Sequence, residues 1–176
     1  MIWTEAERTH LALLERWRGA MNLVGPGPAE VHFEDAAGAV ADLKAVGRWV
    51  DLGSGAGFPG VALAARYPDV HVSLVESRLK RAGFLSAVVR ATGLTNLEVV
   101  HGRTEDVAPG FDGVISRAYR QPEAYLSDAA RLLTAGGCAV LLTGPAPAPM
   151  AGWAVVDTLR YPVRDGHRTR TVLRPS

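Results

Sequence analysis

A chain of 176 residues that is 48% apolar, carries a formal charge of +1 and has no charge-rich tail can bury one self-supporting core and is short for two domains. Its single cysteine, Cys138, excludes an intramolecular disulfide and lies in the apolar run CAVLL, where it reads as a core residue. The start, MIWTEAERTH, lacks the basic opening and apolar stretch of a signal peptide, and the uncharged segment 132–156 is broken by Gly136, Gly137, Pro145, Pro147 and Pro149. The expectation is a cytoplasmic monomer without membrane contact.

Along the chain, Thr4 and Glu7 form a capping-box pattern, and Leu11, Leu14, Trp17 and Met21 then recur at helical spacing. This predicts a helix over about 5–19. A second helix is expected from Pro28 to Lys44, after the loop VGPGP, and the two make a helical cap over 1–45. From residue 46 the character changes. RWVDL, VHVSLVE, LEVVH, FDGVISR and CAVLLT are short, β-branched-rich runs, separated by the helix-like GVALAARY, RLKRAGFLSAVVRAT and PEAYLSDAARLL. Between LEVVH and FDGVISR only a turn or short helix around 105–107 fits. Alternation of this kind predicts an α/β fold with a doubly wound, mostly parallel, Rossmann-like sheet in one domain, 1–176. WAVVDTLRY and RTRTVLR have no helix between them and predict an antiparallel hairpin at the sheet edge. GPAPAPMAG reads as a loop near the ligand face.

The run VDLGSGAGFPG at 50–60 holds two overlapping glycine patterns. Gly53, Gly55 and Gly57 make the turn usual for S-adenosylmethionine; Gly55, Gly57 and Gly60 make the fingerprint of dinucleotide sites. The turn follows the first strand, where a doubly wound sheet binds ligands, and its glycines let the backbone approach closely. Glu76 ends the second strand, 21 residues after Gly55, where a carboxylate reaches ribose hydroxyls of either cofactor. Asp51 separates the two. A carboxylate there repels a pyrophosphate but can engage the amino group of a methionine moiety, directly or through water. LLTAGGCAVLL reads as a helix end, a Gly-Gly turn and a buried strand, a pattern of methyltransferases, and neither Lys44 nor Lys80 completes a Tyr-x-x-x-Lys pair for nicotinamide chemistry. The frame beginning at Gly53 is favoured, leaving Gly60 as a helix-packing glycine.

WRGAMNLV at 17–24, HFEDA at 32–36, VDLGSGAGFPGVALA at 50–64, VESRLKRAGFL at 75–85, GRTEDV at 102–107 and FDGVISRA at 111–118 follow one another as in a single family. The chain resembles the glucose-inhibited division protein B family, bacterial small-subunit rRNA guanine-N7 methyltransferases, over nearly its whole length. The resemblance implies a class I S-adenosylmethionine-dependent fold and cofactor contacts at Gly53, Phe58, Thr104, Glu105 and Arg117, with Glu76 and Ser77 at the second-strand position. It implies 16S rRNA, naked or in an assembling small subunit, as partner. Guanine N7 carries a lone pair and no proton, so methyl transfer to it requires alignment rather than a general base. The Asn/Asp-Pro-Pro-aromatic motif of amino methylation and the Pro-Cys nucleophile of carbon-5 methylation do not occur, and no metal site is expected.

The chain departs from the family pattern at Arg18, Val24, Ala36 and Thr143, the last in place of a lysine. His32 and Asp35 keep their spacing on one helical face and, with Arg117, are the substrate-side candidates. Arg117 could pair with the methionine carboxylate, with an RNA phosphate, or in a structural ion pair. RNA contact is expected from Arg168, Arg170 and Arg174, which alternate along the last strand, and from Arg78, Lys80 and Arg81. Two other readings stand beside a methyltransferase: a catalytically silent paralogue that binds cofactor or RNA, and a nicotinamide-dependent oxidoreductase resting on the Gly55 frame alone.

Overall fold

A computed structural model describes residues 2–145 and 147–176; Ala146 of the Pro-rich segment and Met1 lie outside the described residues. The chain begins with two helices, α1 (Glu5–Trp17) and α2 (Glu30–Val40). It continues β1 (Arg48–Leu52), α3 (Gly60–Arg66), β2 (His71–Glu76), α4 (Leu79–Thr92) and β3 (Leu97–His101). A 3-10 turn (Thr104–Asp106) leads into β4 (Phe111–Ser116), α5 (Pro122–Leu132), β5 (Leu133–Thr143), β6 (Trp153–Val163) and β7 (Gly166–Pro175). The seven strands form one sheet in the order β3-β2-β1-β4-β5-β7-β6, parallel through β5, with β7 antiparallel to both neighbours. Strand order reverses between β1 and β4, which makes the carboxyl ends of those two strands the place for a ligand.

The capping box at the start of α1 is fully formed. The Glu7 amide donates to Thr4 Oγ1 at 3.1 Å and the Thr4 amide to Glu7 Oε2 at 2.8 Å. Glu7 also receives Arg66 Nε at 2.7 Å and Nη2 at 2.9 Å, so one carboxylate both starts α1 and ties it to the end of α3. The second helix is shorter than the expected 28–44: it stops at Val40, and Asp42 turns the chain away with φ +53°.

Alternation along β1 divides the core. Trp49 packs with α1, α2, α3 and α4 on one face, whereas Val50 and Leu52 pack with Tyr125, Leu126, Ala129 and Leu132 of α5 on the other. The single 3-10 turn between β3 and β4 provides no helix for that second face, so among the described residues α5 is its one helix, flanked by Val107, Tyr119, Met150 and Trp153. Tyr125 fixes α5 in place: its hydroxyl lies 2.8 Å from the carbonyls of both Val114 and Val140, on adjacent strands.

Two elements differ from expectation in detail. The Gly136-Gly137 turn does not separate helix from strand; it is a bulge within β5, whose register passes from Phe111↔Leu133 to Gly113↔Cys138. The C-terminal hairpin forms as expected, but β7 is inserted between β5 and β6, so β3 forms one edge of the sheet and β6 the other. That edge is interrupted by a register shift between Val155 and Asp157, which blunts it against pairing with another chain.

Candidate active site

The turn after β1 is held by two acids from behind. Asp51 is fully buried, and its Oδ2 accepts the Gly60 amide at 3.0 Å, while Oδ1 has no hydrogen-bond partner. Glu76 accepts the Gly55 amide at 3.0 Å through Oε2 and the Arg78 amide at 2.7 Å through Oε1. These bonds bring the loop down onto the end of β2. Burial pushes the Asp51 carboxyl up to about 7, opposed by the Gly60 amide and the Ser54 hydroxyl. A buried carboxyl so perturbed, beside a glycine turn at the strand reversal, makes Asp51 a candidate functional position.

Gly53 is the residue that faces outward. Its φ is +67°, and a Cβ there would stand 2.7 Å from the Tyr119 ring. An open pocket of about 450 Å³ begins at Gly53 and Val75, runs past Ser77, and ends against Thr104, Glu105, Tyr119 and Arg120. Its floor is the carboxyl ends of β1 to β4. Tyr119 donates its hydroxyl proton to Thr104 Oγ1 at 2.7 Å, and Arg120 pairs with Glu105 at 2.7 Å, so the loops after β3 and β4 are joined across the far wall. Gly60 behaves as the sequence frame predicts: a Cβ there would lie 2.4 Å from Leu74 Cδ2, within helix–sheet packing.

The chain at the start of α3 offers no free amide over residues 59–61. Pro59 has none, that of Gly60 is taken by Asp51, and that of Val61 donates to the Gly57 carbonyl at 2.9 Å. The Gly55 frame therefore has the glycines of a dinucleotide turn, but the amides at its third glycine and the next residue are turned to the protein itself.

A second group of predicted residues assembles beside the first. Asp35, nearly buried, receives Arg117 Nη1 at 3.1 Å on one oxygen and the Tyr161 hydroxyl at 3.0 Å on the other. Arg168 Nε lies 3.1 Å from that second oxygen, without hydrogen-bond alignment. Tyr161 is held protonated by burial and by this carboxylate. Arg117 also stacks over Phe58, 4.8 Å from its centroid. Phe58 is itself buried against His10, His32 and Phe33, so it supports the site from within the core rather than lining the pocket. Of the roles open to Arg117, the ion pair with Asp35 is the one observed. His32 is half-buried; burial first, then the Arg117 charge, lowers its basicity.

The structure thus gathers Gly53, Ser77, Thr104 and Glu105 into one pocket, with Asp51, Glu76, Gly55 and Gly57 behind the turn. His32, Asp35 and Arg117 form a separate cluster. Sequence reasoning missed His10, whose Nε2 donates to the Ala56 carbonyl at 2.7 Å beneath the glycine loop, and Tyr161, which reaches Asp35 from β6. The only signal for Tyr119 was its place after SRA. One basic patch also needs correction. Arg170 is 2% exposed, bonded to the Ala39 and Ala41 carbonyls and to Asp157 at 2.7 Å, so it is structural and cannot contact RNA.

The sequence profile of the GidB family, rRNA small subunit methyltransferase G, matches residues 5–149. The chain belongs to this family. A Pseudomonas paraeruginosa (strain DSM 24068 / PA7) protein named Ribosomal RNA small subunit methyltransferase G is 39% identical over 130 residues, 68% of this chain and 61% of that protein. A namesake from Methylibium petroleiphilum is 35% identical over 148 residues, 78% of this chain and 67% of the other. The chain spans about 56–61% of the length of the Pseudomonas relatives. In fold, this GidB-family chain is similar to TrmN from Thermus thermophilus (TM-score 0.62, 21% identity, 87% of this chain and 55% of that one). It is likewise similar to TYW2 of M. jannaschii, crystallised in complex with AdoMet (TM-score 0.66, 14% identity, 84% of this chain and 78% of that one).

Proposed function

We propose that this chain transfers the methyl group of S-adenosylmethionine to N7 of a guanine in 16S rRNA, naked or within an assembling small subunit, in the cytoplasm. The observation that carries the reading is the acid-braced glycine turn opening onto a pocket at the strand reversal, in a chain of the GidB family.

The residues present fit that cofactor. Positive φ and no Cβ at Gly53 leave room beside the Tyr119 ring. Thr104 and Ser77 offer hydroxyls for an adenosine, and the carboxylate of Glu76 retains lone pairs for ribose hydroxyls beyond the two amides it already accepts. Bound there, the cofactor supplies an electrophilic methyl on a sulfonium. Everything else falls to the protein's own groups, which hold and align. The acceptor nitrogen has no proton to lose, so His32, kept neutral by burial and by Arg117, and Asp35, already engaged by three side chains, have no proton to take. Their part is to shape the acceptor side and, through the Asp35–Arg117 pair and Arg117 on Phe58, to hold the glycine loop in place.

Nucleoside mass spectrometry of small-subunit rRNA, with and without the gene, tests the reading. The expected result is loss of one 7-methylguanosine when the gene is removed, its return on incubating that rRNA with purified protein and cofactor, and calorimetric binding of S-adenosylhomocysteine but not NAD. Unchanged 7-methylguanosine content overturns it, and cofactor binding without transfer would favour a silent paralogue.

A further inference from the structure

Because β7 runs antiparallel to β5, with Thr143 opposite Thr169, the turn joining β6 to β7 lies at the carboxyl edge of the sheet, the edge that carries the first pocket. A second pocket of about 380 Å³ opens there, between α2 and that turn, lined among others by His32, Asp35, Arg164, Asp165, His167 and Arg168. Asp35 in the wall of the second pocket is ion-paired with Arg117, which lies in the same loop after β4 as Tyr119 and Arg120 of the first.

With Asp35 matched by Arg117, the second pocket keeps a surplus positive charge, Arg164 and Arg168 against the single further acid Asp165. Asp35 is already engaged by Arg117, Tyr161 and Arg168. Among the described residues Arg164 has no ion pair, and Arg168 uses only Nε toward Asp35, leaving both terminal amino groups, on a side chain 41% exposed, without a partner. His167 is exposed beside them. In the first pocket, by contrast, Arg120 is ion-paired to both Glu105 and Asp128. Of the other arginines of the hairpin, Arg170 is buried under α2, Arg174 stands opposite Ala154 toward the other end of the sheet, and Arg160 is exposed on the edge strand opposite Thr169; none of the three lines the pocket.

We propose that this second pocket holds a backbone phosphate of the acceptor RNA, through Arg164 and the terminal amino groups of Arg168, with His167 at its mouth, and so sets the acceptor's position relative to the first pocket. Planar guanidinium groups bind phosphate oxygens in pairs, which suits them to orient as well as attract. The inference rests on the proposed rRNA reading and goes beyond it in naming the contact.

Equilibrium binding of small-subunit rRNA from cells lacking the gene, measured from 50 to 250 mM salt, tests it with Arg164→Gln and with Arg174→Gln as control. Losing one phosphate contact lowers the slope of log affinity against log salt by about 0.7–0.9. The expected result is that decrease for Arg164→Gln, with affinity down several-fold at low salt and binding of S-adenosylhomocysteine unchanged, and no decrease for Arg174→Gln. Wild-type binding and methylation with an unaltered Arg164→Gln slope overturn the pocket assignment alone. Equal decreases in both variants also overturn it, as diffuse attraction. If the wild type binds S-adenosylhomocysteine but neither binds nor methylates the RNA, the rRNA reading falls and the assignment with it.

Discussion

His10 and Asp51 lie on either side of the same loop and titrate in opposite senses. Burial lowers His10 to about 4, so the unfolded chain takes up that proton first and the contribution of His10 to stability is lost as pH falls from 6.5 through 4. Burial raises Asp51 to about 7, so the folded protein holds that proton, and the contribution of Asp51 is complete below about 3.8 and lost as pH rises through 7. Between pH 4 and 6.5 the two slopes oppose each other. Asp51→Asn keeps an acceptor for the Gly60 amide and removes one slope; its stability relative to wild type should climb by about 1.4 kcal/mol per pH unit over that window, read by urea unfolding. Parallel curves for the two proteins would show that Asp51 ionises normally. Asp35 makes a different kind of prediction. Asp35→Asn leaves the two guanidinium groups without a counter-charge and should cost about 1–3 kcal/mol in the same assay. The spacing of His32 and Asp35 was legible in the sequence, but the partners of Asp35 were not, since Tyr161 is 126 residues away and nothing local says which helix the hairpin covers.

The glycine turn shows how one element carries two separable functions. Gly53 faces the pocket and Gly60 faces the sheet. Gly53→Ala meets left-handed backbone strain of about 1–2 kcal/mol and displaces the Tyr119 ring from the pocket wall, so calorimetry should record at least a tenfold loss of affinity for S-adenosylhomocysteine. Gly60→Ala instead pushes Leu74 and Asp51 and should cost about 1–3 kcal/mol of stability by overpacking, seen first as a lower melting temperature. Alternating strands and helices, the capping box and the hairpin were all readable because their signals are local: a period of 2 or 3.6 residues, a cap, a glycine. The bulge at Gly136 was not. A Gly-Gly pair serves a turn between elements and a bulge within one equally well, and only the pairing of Phe111 with Leu133 decides.

At the scale of the molecule, the basic C-terminal stretch divides by depth. Arg170 closes the joint between the end of α2 and the hairpin, so Arg170→Met should lower stability by about 1–3 kcal/mol while leaving the salt dependence of RNA binding as it is in wild type. Strand alternation was enough to group Arg168, Arg170 and Arg174 on one face, but not to show that α2 covers the middle of that face. The helical cap, too, shares a buried cluster with the sheet, Leu14 and Phe33 packing in one core with Leu74 and Phe84, so the two N-terminal helices and the sheet hold each other in place. The inserted position of β7 has a temporal consequence. Its neighbour β6 leaves the ribosome earlier yet has no strand to pair with until β7 arrives, and the free edge of β5 waits as long. Translation order and assembly order are therefore reversed at this end of the sheet, and a nascent chain halted before Gly166 presents two unpaired edges to chaperones and proteases.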